Sequence, residues 1–109
     1  MRVRLKMGVI DACRGRRMMY RLMYERDAEL SMEPRVGESV VFIANPEREI
    51  TIKRITHSFD GGIVVLLDNL FIEYSQSETA RLVEWTKRLE NAGWKMTSRS
   101  QHTSLDTLL

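Results

Sequence analysis

Residues 49–74, EITIKRITHSFDGGIVVLLDNLFIEY, are the stretch on which the fold turns. Their first part is rich in β-branched side chains, with Ile50, Thr51, Ile52, Ile55 and Thr56 all favouring extended backbone. Asp60-Gly61-Gly62 then gives a hairpin signal, because glycine accepts the positive φ that tight hairpin loops demand. The chain returns as strand from Ile63 to Tyr74, with Asp68-Asn69 as its candidate bend. Ile63-Val64-Val65-Leu66-Leu67 is apolar on both faces, the pattern of a strand in the middle of a sheet. The parity of the first strand slips once. Ile50 and Ile52 share one side, whereas Ile55, His57 and Phe59 take the other, so a β-bulge is expected near Lys53-Arg54.

Toward the N-terminus, Asn45-Pro46-Glu47-Arg48 reads as a turn, since Pro46 pre-sets the φ of a type I turn at its second position. Ser39–Ala44 before it is a short apolar strand, and Pro34 and Gly37 bracket a further turn. Residues 2–10 alternate Arg2, Arg4 and Lys6 with Val3, Leu5, Met7 and Val9, the period-two pattern of a half-buried strand. Residues 17–30 fit two elements. Tyr20, Leu22, Tyr24, Ala28 and Leu30 share a strand parity, while Met18, Met19, Leu22, Met23 and Arg26 form a helical stripe. The strand is preferred, paired with the first through a turn at Gly15.

Toward the C-terminus, Ser75-Gln76-Ser77-Glu78 fits a capping box opening a helix over 76–92. Leu82, Trp85, Leu89 and Ala92 form one apolar stripe that Val83 widens, which predicts burial of Leu82 and Trp85 against the sheet. Lys87 and Arg88 suit the negative end of the helix, and Gly93 supplies its left-handed stop. Residues 97–109 read as a flexible tail punctuated by Leu105, Leu108 and Leu109. The expected architecture is α+β: four or five antiparallel strands forming a curled sheet or small open β-barrel, with one C-terminal amphipathic helix. Residues 1–96 form its single domain.

A chain of 109 residues suits one domain with one modest core. With 43% apolar and 29% charged residues, wholesale disorder is excluded. No apolar run approaches the length of a membrane helix, and the alternation after Arg2 is unlike a signal peptide, so a cytoplasmic address is expected. Cys13 stands alone and makes no internal disulfide. It reads as a bystander, although Arg14, Arg16 and Arg17 would favour its thiolate. One thiol and two distant histidines build no cysteine-rich metal site, and neither a metal nor a cofactor is expected.

Motifs for phosphate loops, dinucleotide binding, nucleophile elbows and paired metal histidines are absent from the sequence. His57 reads as a core or edge histidine, His102 as solvated, and Glu47/Glu49 and Glu25/Asp27 as solvated charge. A non-enzymatic protein is expected.

The net charge of +2 conceals an asymmetry. Residues 1–26 hold eight basic and two acidic side chains, a net +6, whereas the remainder holds nine basic and thirteen acidic ones, a net −4. Candidate binding residues therefore cluster in the first quarter: Arg14, Arg16, Arg17 and Arg21, interleaved with Tyr20 and Tyr24. The leading expectation is a small binding or regulatory accessory protein acting through protein–protein contacts or self-association. Charge asymmetry favours docking on an acidic surface, and Met18, Met19, Met23 and Met32 supply adaptable side chains whose simpler role is core packing. The alternative is a nucleic-acid-binding module, in which arginines pair with phosphates and tyrosines stack on bases. Against it, Tyr20 and Tyr24 share the parity of Leu22 and so point inward.

Overall fold

The computed structural model describes residues 1–44 and 47–103. In chain order the elements are β1 (Arg2–Arg14), β2 (Met19–Glu29), β3 (Ser39–Ala44), β4 (Glu47–His57), β5 (Ile63–Leu67) and β6 (Leu70–Ser75). A single 3-10 turn, Gln76–Glu78, leads into α1 (Thr79–Asn91), and β7 (Lys95–His102) closes the described chain. The architecture is α+β, with a seven-stranded open sheet among the described residues and one short helix.

The sheet is organised around β1. One edge of this strand pairs antiparallel with β2 along its length, from Arg2↔Glu29 to Asp11↔Tyr20. Its other edge is shared in parallel by β5, at Arg4↔Val64 to Lys6↔Leu66, and by β6, at Val9↔Leu70 to Arg14↔Ser75. β5 and β6 are thus one strand broken at Asp68-Asn69, opposite the middle of β1. The expected all-antiparallel sheet is corrected here: β4 returns antiparallel to β5, and β5 then runs alongside β1 in the same direction. β5 is flanked on both edges; Val65 and Leu67 are buried in the core, while Val64 and Leu66 on its other face are half-buried. At the kink the Asn69 side chain lies over Gly8, where an added methyl group would collide with it. A mid-strand glycine at such a point marks close approach by a neighbouring chain.

Three register shifts interrupt the ladders of the described sheet, one of them between Met23 and Tyr24 where β2 meets β7. The shift between Ile52 and Arg54 in β4 is the expected bulge. The third, between Val41 and Ile43 in β3, turns the consecutive residues Phe42 and Ile43 both inward. The preferred strand for residues 17–30 is observed as β2, and the turn at Gly15 has φ 88°.

Met7, Val9, Val65, Leu67, Leu89 and Trp94 are buried to 1% exposure or less and form the centre of the core. The helix docks through Leu89, while Leu82 and Trp85, the residues expected to be buried, are only partly covered. Its stop is a Schellman-type cap. The Gly93 N–H donates to the Glu90 carbonyl at 3.0 Å and the Trp94 N–H to the Leu89 carbonyl at 3.0 Å, with Gly93 at φ 91°. This cap drops Trp94 into the core, where its Nε1–H donates to the Phe42 carbonyl at 2.8 Å. Burial of so large a ring stabilises by roughly 2–3 kcal/mol, and the hydrogen bond ties the edge strand β3 back toward the start of β7. At the helix start, Glu78 accepts from the Ser75 N–H at 3.1 Å and from its hydroxyl at 3.0 Å.

Residues 97–102 are corrected from tail to strand. They complete β7, which pairs antiparallel with β2 from Glu25↔Lys95 to Met19↔His102. The tail leucines and the turn residues Asn45 and Pro46 lie outside the described residues. No helix among the described residues is long and apolar enough to cross a membrane.

Candidate functional site

The inward row of β1 reads Val3, Leu5, Met7, Val9, Asp11 and Cys13. Asp11 is the anomaly in it, a carboxylate at 3% exposure among core side chains. An acid this buried requires a partner, and the β1–β2 turn supplies one. Arg16 folds back under the sheet, and its Nη2 donates to Asp11 Oδ1 at 2.8 Å and to the Tyr74 hydroxyl at 3.3 Å. Burial works against the Arg16 charge, but the hydrogen bond and charge of Asp11 outweigh it and raise the guanidinium above its ordinary value. Burial, together with a hydrogen bond to Asp11 and its charge, pushes the Tyr74 phenol up to about 12. The Arg16 guanidinium also stands 5.0 Å from the centre of the Tyr20 ring, and Arg99 of β7 stands 4.1 Å from the same ring.

The six residues singled out in the sequence do not form one surface. Arg16 and Tyr20 are built into this cluster, and Tyr24 is buried at 2% exposure. Arg14 lies on the outer side, paired with Glu73 at 3.3 Å. Arg21 lies over Gly8 on the outer face, with its Nε buried and without a hydrogen-bond partner among the described residues. Arg17 is exposed at the turn and enters none of the ion pairs among the described residues. Further along, Arg4 pairs with Asp27 and Lys6 with Glu25, each at 3.3 Å across β1 and β2. Much of the basic excess is therefore answered within the molecule.

The sequence reading missed Asp11, Tyr74 and Arg99. Asp11 could have been found, since it breaks the apolar parity of its strand. Arg99 was hidden by the assignment of its segment to a tail. Cys13 is buried beside the cluster, its Sγ 3.6 Å from the Arg14 carbonyl.

At the opposite end of the sheet, the β4–β5 turn is held by its own polar groups. The Ser58 N–H donates to the Gly62 carbonyl at 2.7 Å and the Gly61 N–H to the Ser58 carbonyl at 3.1 Å. Asp60 accepts from the Ser58 hydroxyl and from the Gly62 N–H, which hold its carboxyl below the usual range. Phe59 at the tip is fully exposed, which corrects its expected place on the inward parity; His57 is exposed as well. Met1, at 45% exposure, and Met32, at 78%, belong to the same end, where the N-terminal amine donates to the Leu30 carbonyl at 2.8 Å. Unlike Met7, the four methionines of residues 18–32 lie outside the buried core: Met18 and Met32 are exposed, and Met19 and Met23 are half-buried.

No group of three or more histidine, cysteine or acidic side chains is gathered to hold a metal ion among the described residues. Compared with family models, curated proteins and solved structures, the chain matches none.

Proposed function

We propose that the chain is a non-enzymatic, cytoplasmic binding module acting through protein contacts, and that its contact surface is the Phe59 end rather than the arginine-rich turn. The supporting observation is Phe59 itself. A phenylalanine in full contact with water, on a turn that its neighbours hydrogen-bond into place, gains nothing for folding. Met1 and Met32 are further exposed apolar side chains at this end of the sheet, and such side chains suit a complementary groove on a protein partner, including a second copy. Arginine pairing weighs against nucleic acid. Tyr24 is buried, the Tyr20 ring already carries two guanidiniums, and Arg14 and Arg16 are held by Glu73 and Asp11.

The test uses wild-type and Phe59→Ser protein immobilised as bait in an extract of the native host, with folding of both checked by circular dichroism. One polypeptide retained in near-stoichiometric amount by the wild type and lost by Phe59→Ser is the expected result. Equal retention by both moves the surface elsewhere. A mobility shift of mixed-sequence RNA or DNA that persists at moderate salt would restore the nucleic-acid reading.

A further inference from the structure

β2 carries its inward parity past Tyr24 to Arg26, and this places a cation at the seam where the curled sheet fails to close. On one side of the seam is the end of β3, and on the other the last turn of α1. An open cavity of about 440 Å³ occupies it, lined by Arg26, Ala44, Arg88, Asn91 and Ala92. Both charged residues in this lining are arginines. Neither enters an ion pair among the described residues, although Arg4, Lys6, Arg14 and Arg16 all do. In the adjoining cavity, which shares Arg26, the cations Arg4 and Lys95 are accompanied by Glu25 and Asp27. The seam has no such balance.

Arg88 sharpens the point. Its guanidinium carbon sits 4.6 Å from the centre of the Trp85 ring, which fixes the side chain in place. Its Nη2 is nevertheless buried with no hydrogen-bond partner among the described residues. An orphaned donor of this kind is costly when nothing replaces its lost water. The helix end does not answer it either, because the Arg88, Leu89 and Glu90 carbonyls already accept from the N–H groups of Ala92, Gly93 and Trp94. Glu90, on the same turn, lies close enough to Tyr24 for its charge to raise that phenol, and it does not line the cavity.

We propose that this seam is a binding site for a phosphate group, held between the guanidiniums of Arg26 and Arg88. The guanidinium fork matches a phosphate oxygen pair, and two forks with no carboxylate among the described lining residues suit a dianion better than a single carboxylate. Trp85 already carries Arg88 and, at 5.0 Å, Arg48, so no free aromatic face waits there for a base. Recognition is of the phosphate rather than of what bears it. The site is independent of the Phe59 end, and either can fail without the other.

The experiment titrates inorganic phosphate into the wild-type chain at constant ionic strength, following the arginine Nε–Hε resonances and tryptophan fluorescence. Saturable movement of the Arg26 and Arg88 signals is expected, with chloride giving none. Arg26→Gln and Arg88→Gln should each weaken binding about ten-fold, whereas Arg17→Gln should leave it unchanged. If Arg88→Gln does not fold, Arg88→Lys replaces it, keeping the charge but losing the fork, and weaker binding is again expected. Adenosine monophosphate separates the sources: affinity equal to that of phosphate assigns the bare group, and a gain of ten-fold or more assigns a nucleotide. Non-saturating shifts, or an equal response of Arg17→Gln, would overturn the proposal.

Discussion

The β1–β2 and β4–β5 hairpins lie at opposite ends of one sheet and are built alike, yet the chain uses them in opposite ways. Each turns on a glycine of positive φ, Gly15 at 88° and Gly61 at 91°. The first hairpin sends Arg16 back beneath the sheet to a buried carboxylate and a phenol, so its most conspicuous side chain becomes part of the structure. The second satisfies its polar groups locally through Ser58, Asp60 and Gly62 and holds its most conspicuous side chain, Phe59, in water. A charge count singles out the first hairpin as the functional one. Burial and pairing point to the second, because a group already satisfied inside the molecule has little left to offer a partner.

Substitutions can break this contrast or sharpen it, and a core change sets the upper end of the scale. Trp94→Ala removes the buried ring and its bond to Phe42, and urea denaturation should show a loss of about 3–5 kcal/mol. Asp11→Ala comes next. It leaves Arg16 without its carboxylate, and because Arg16 is about one-third exposed the expected loss is about 2–3 kcal/mol, below that of a fully buried pair. A loss under about 0.5 kcal/mol would place the Asp11–Arg16 pair among ordinary surface ion pairs and dissolve the contrast.

Tyr74→Phe should cost about 1 kcal/mol at neutral pH and also change the alkaline limb of stability. The folded phenol titrates at about 12 and the unfolded one near 10. Its contribution is therefore complete below pH 10 and is lost as pH rises from about 10 to 12, where the unfolded chain releases the proton first. Tyr24, raised chiefly by burial, acts in the same direction, so the variant should show a shallower decline rather than none. Phe59→Ser sits at the bottom of the scale, with a stability change within about 0.5 kcal/mol and loss of partner retention as its only large effect. A large destabilisation at Phe59 would show it to be structural and remove the asymmetry between the hairpins.

How far the sequence could be read depended on whether a signal was local. The helix start at Ser75 and Glu78, the glycine stop at Gly93 and the bulge after Ile52 rest on neighbouring residues, and all were legible. β7 was not, because Lys95–His102 has no apolar alternation of its own. It is strand by virtue of the free edge of β2, with Thr97 set into the bulge opposite Met23 and Tyr24 and its hydroxyl donating to the Met23 carbonyl. The candidate site was legible only in part. Tyr24 was expected to turn inward and does, and Arg16 was singled out, but for binding rather than for the buried pair it makes. Reversing the charges of Arg14, Arg16, Arg17 and Arg21 together would therefore not be a surface change, since Arg16 is the partner of the buried Asp11.

By itself the sequence determined which segments pair with water and which do not, and so the α+β class, the helix and most strand positions. Those follow from periodicity and turn chemistry, which act over a few residues. Tertiary structure alone decided that β1 runs parallel to β5 and β6, and that Trp94 rather than Trp85 fills the centre. It also decided which cations of the basic N-terminal quarter are spent on Asp11, Glu73, Asp27 and Glu25, and which meet no counter-ion among the described residues. The reason is distance along the chain: Asp11 and Tyr74, or Arg26 and Arg88, meet only once the sheet has curled, and no local pattern encodes that meeting.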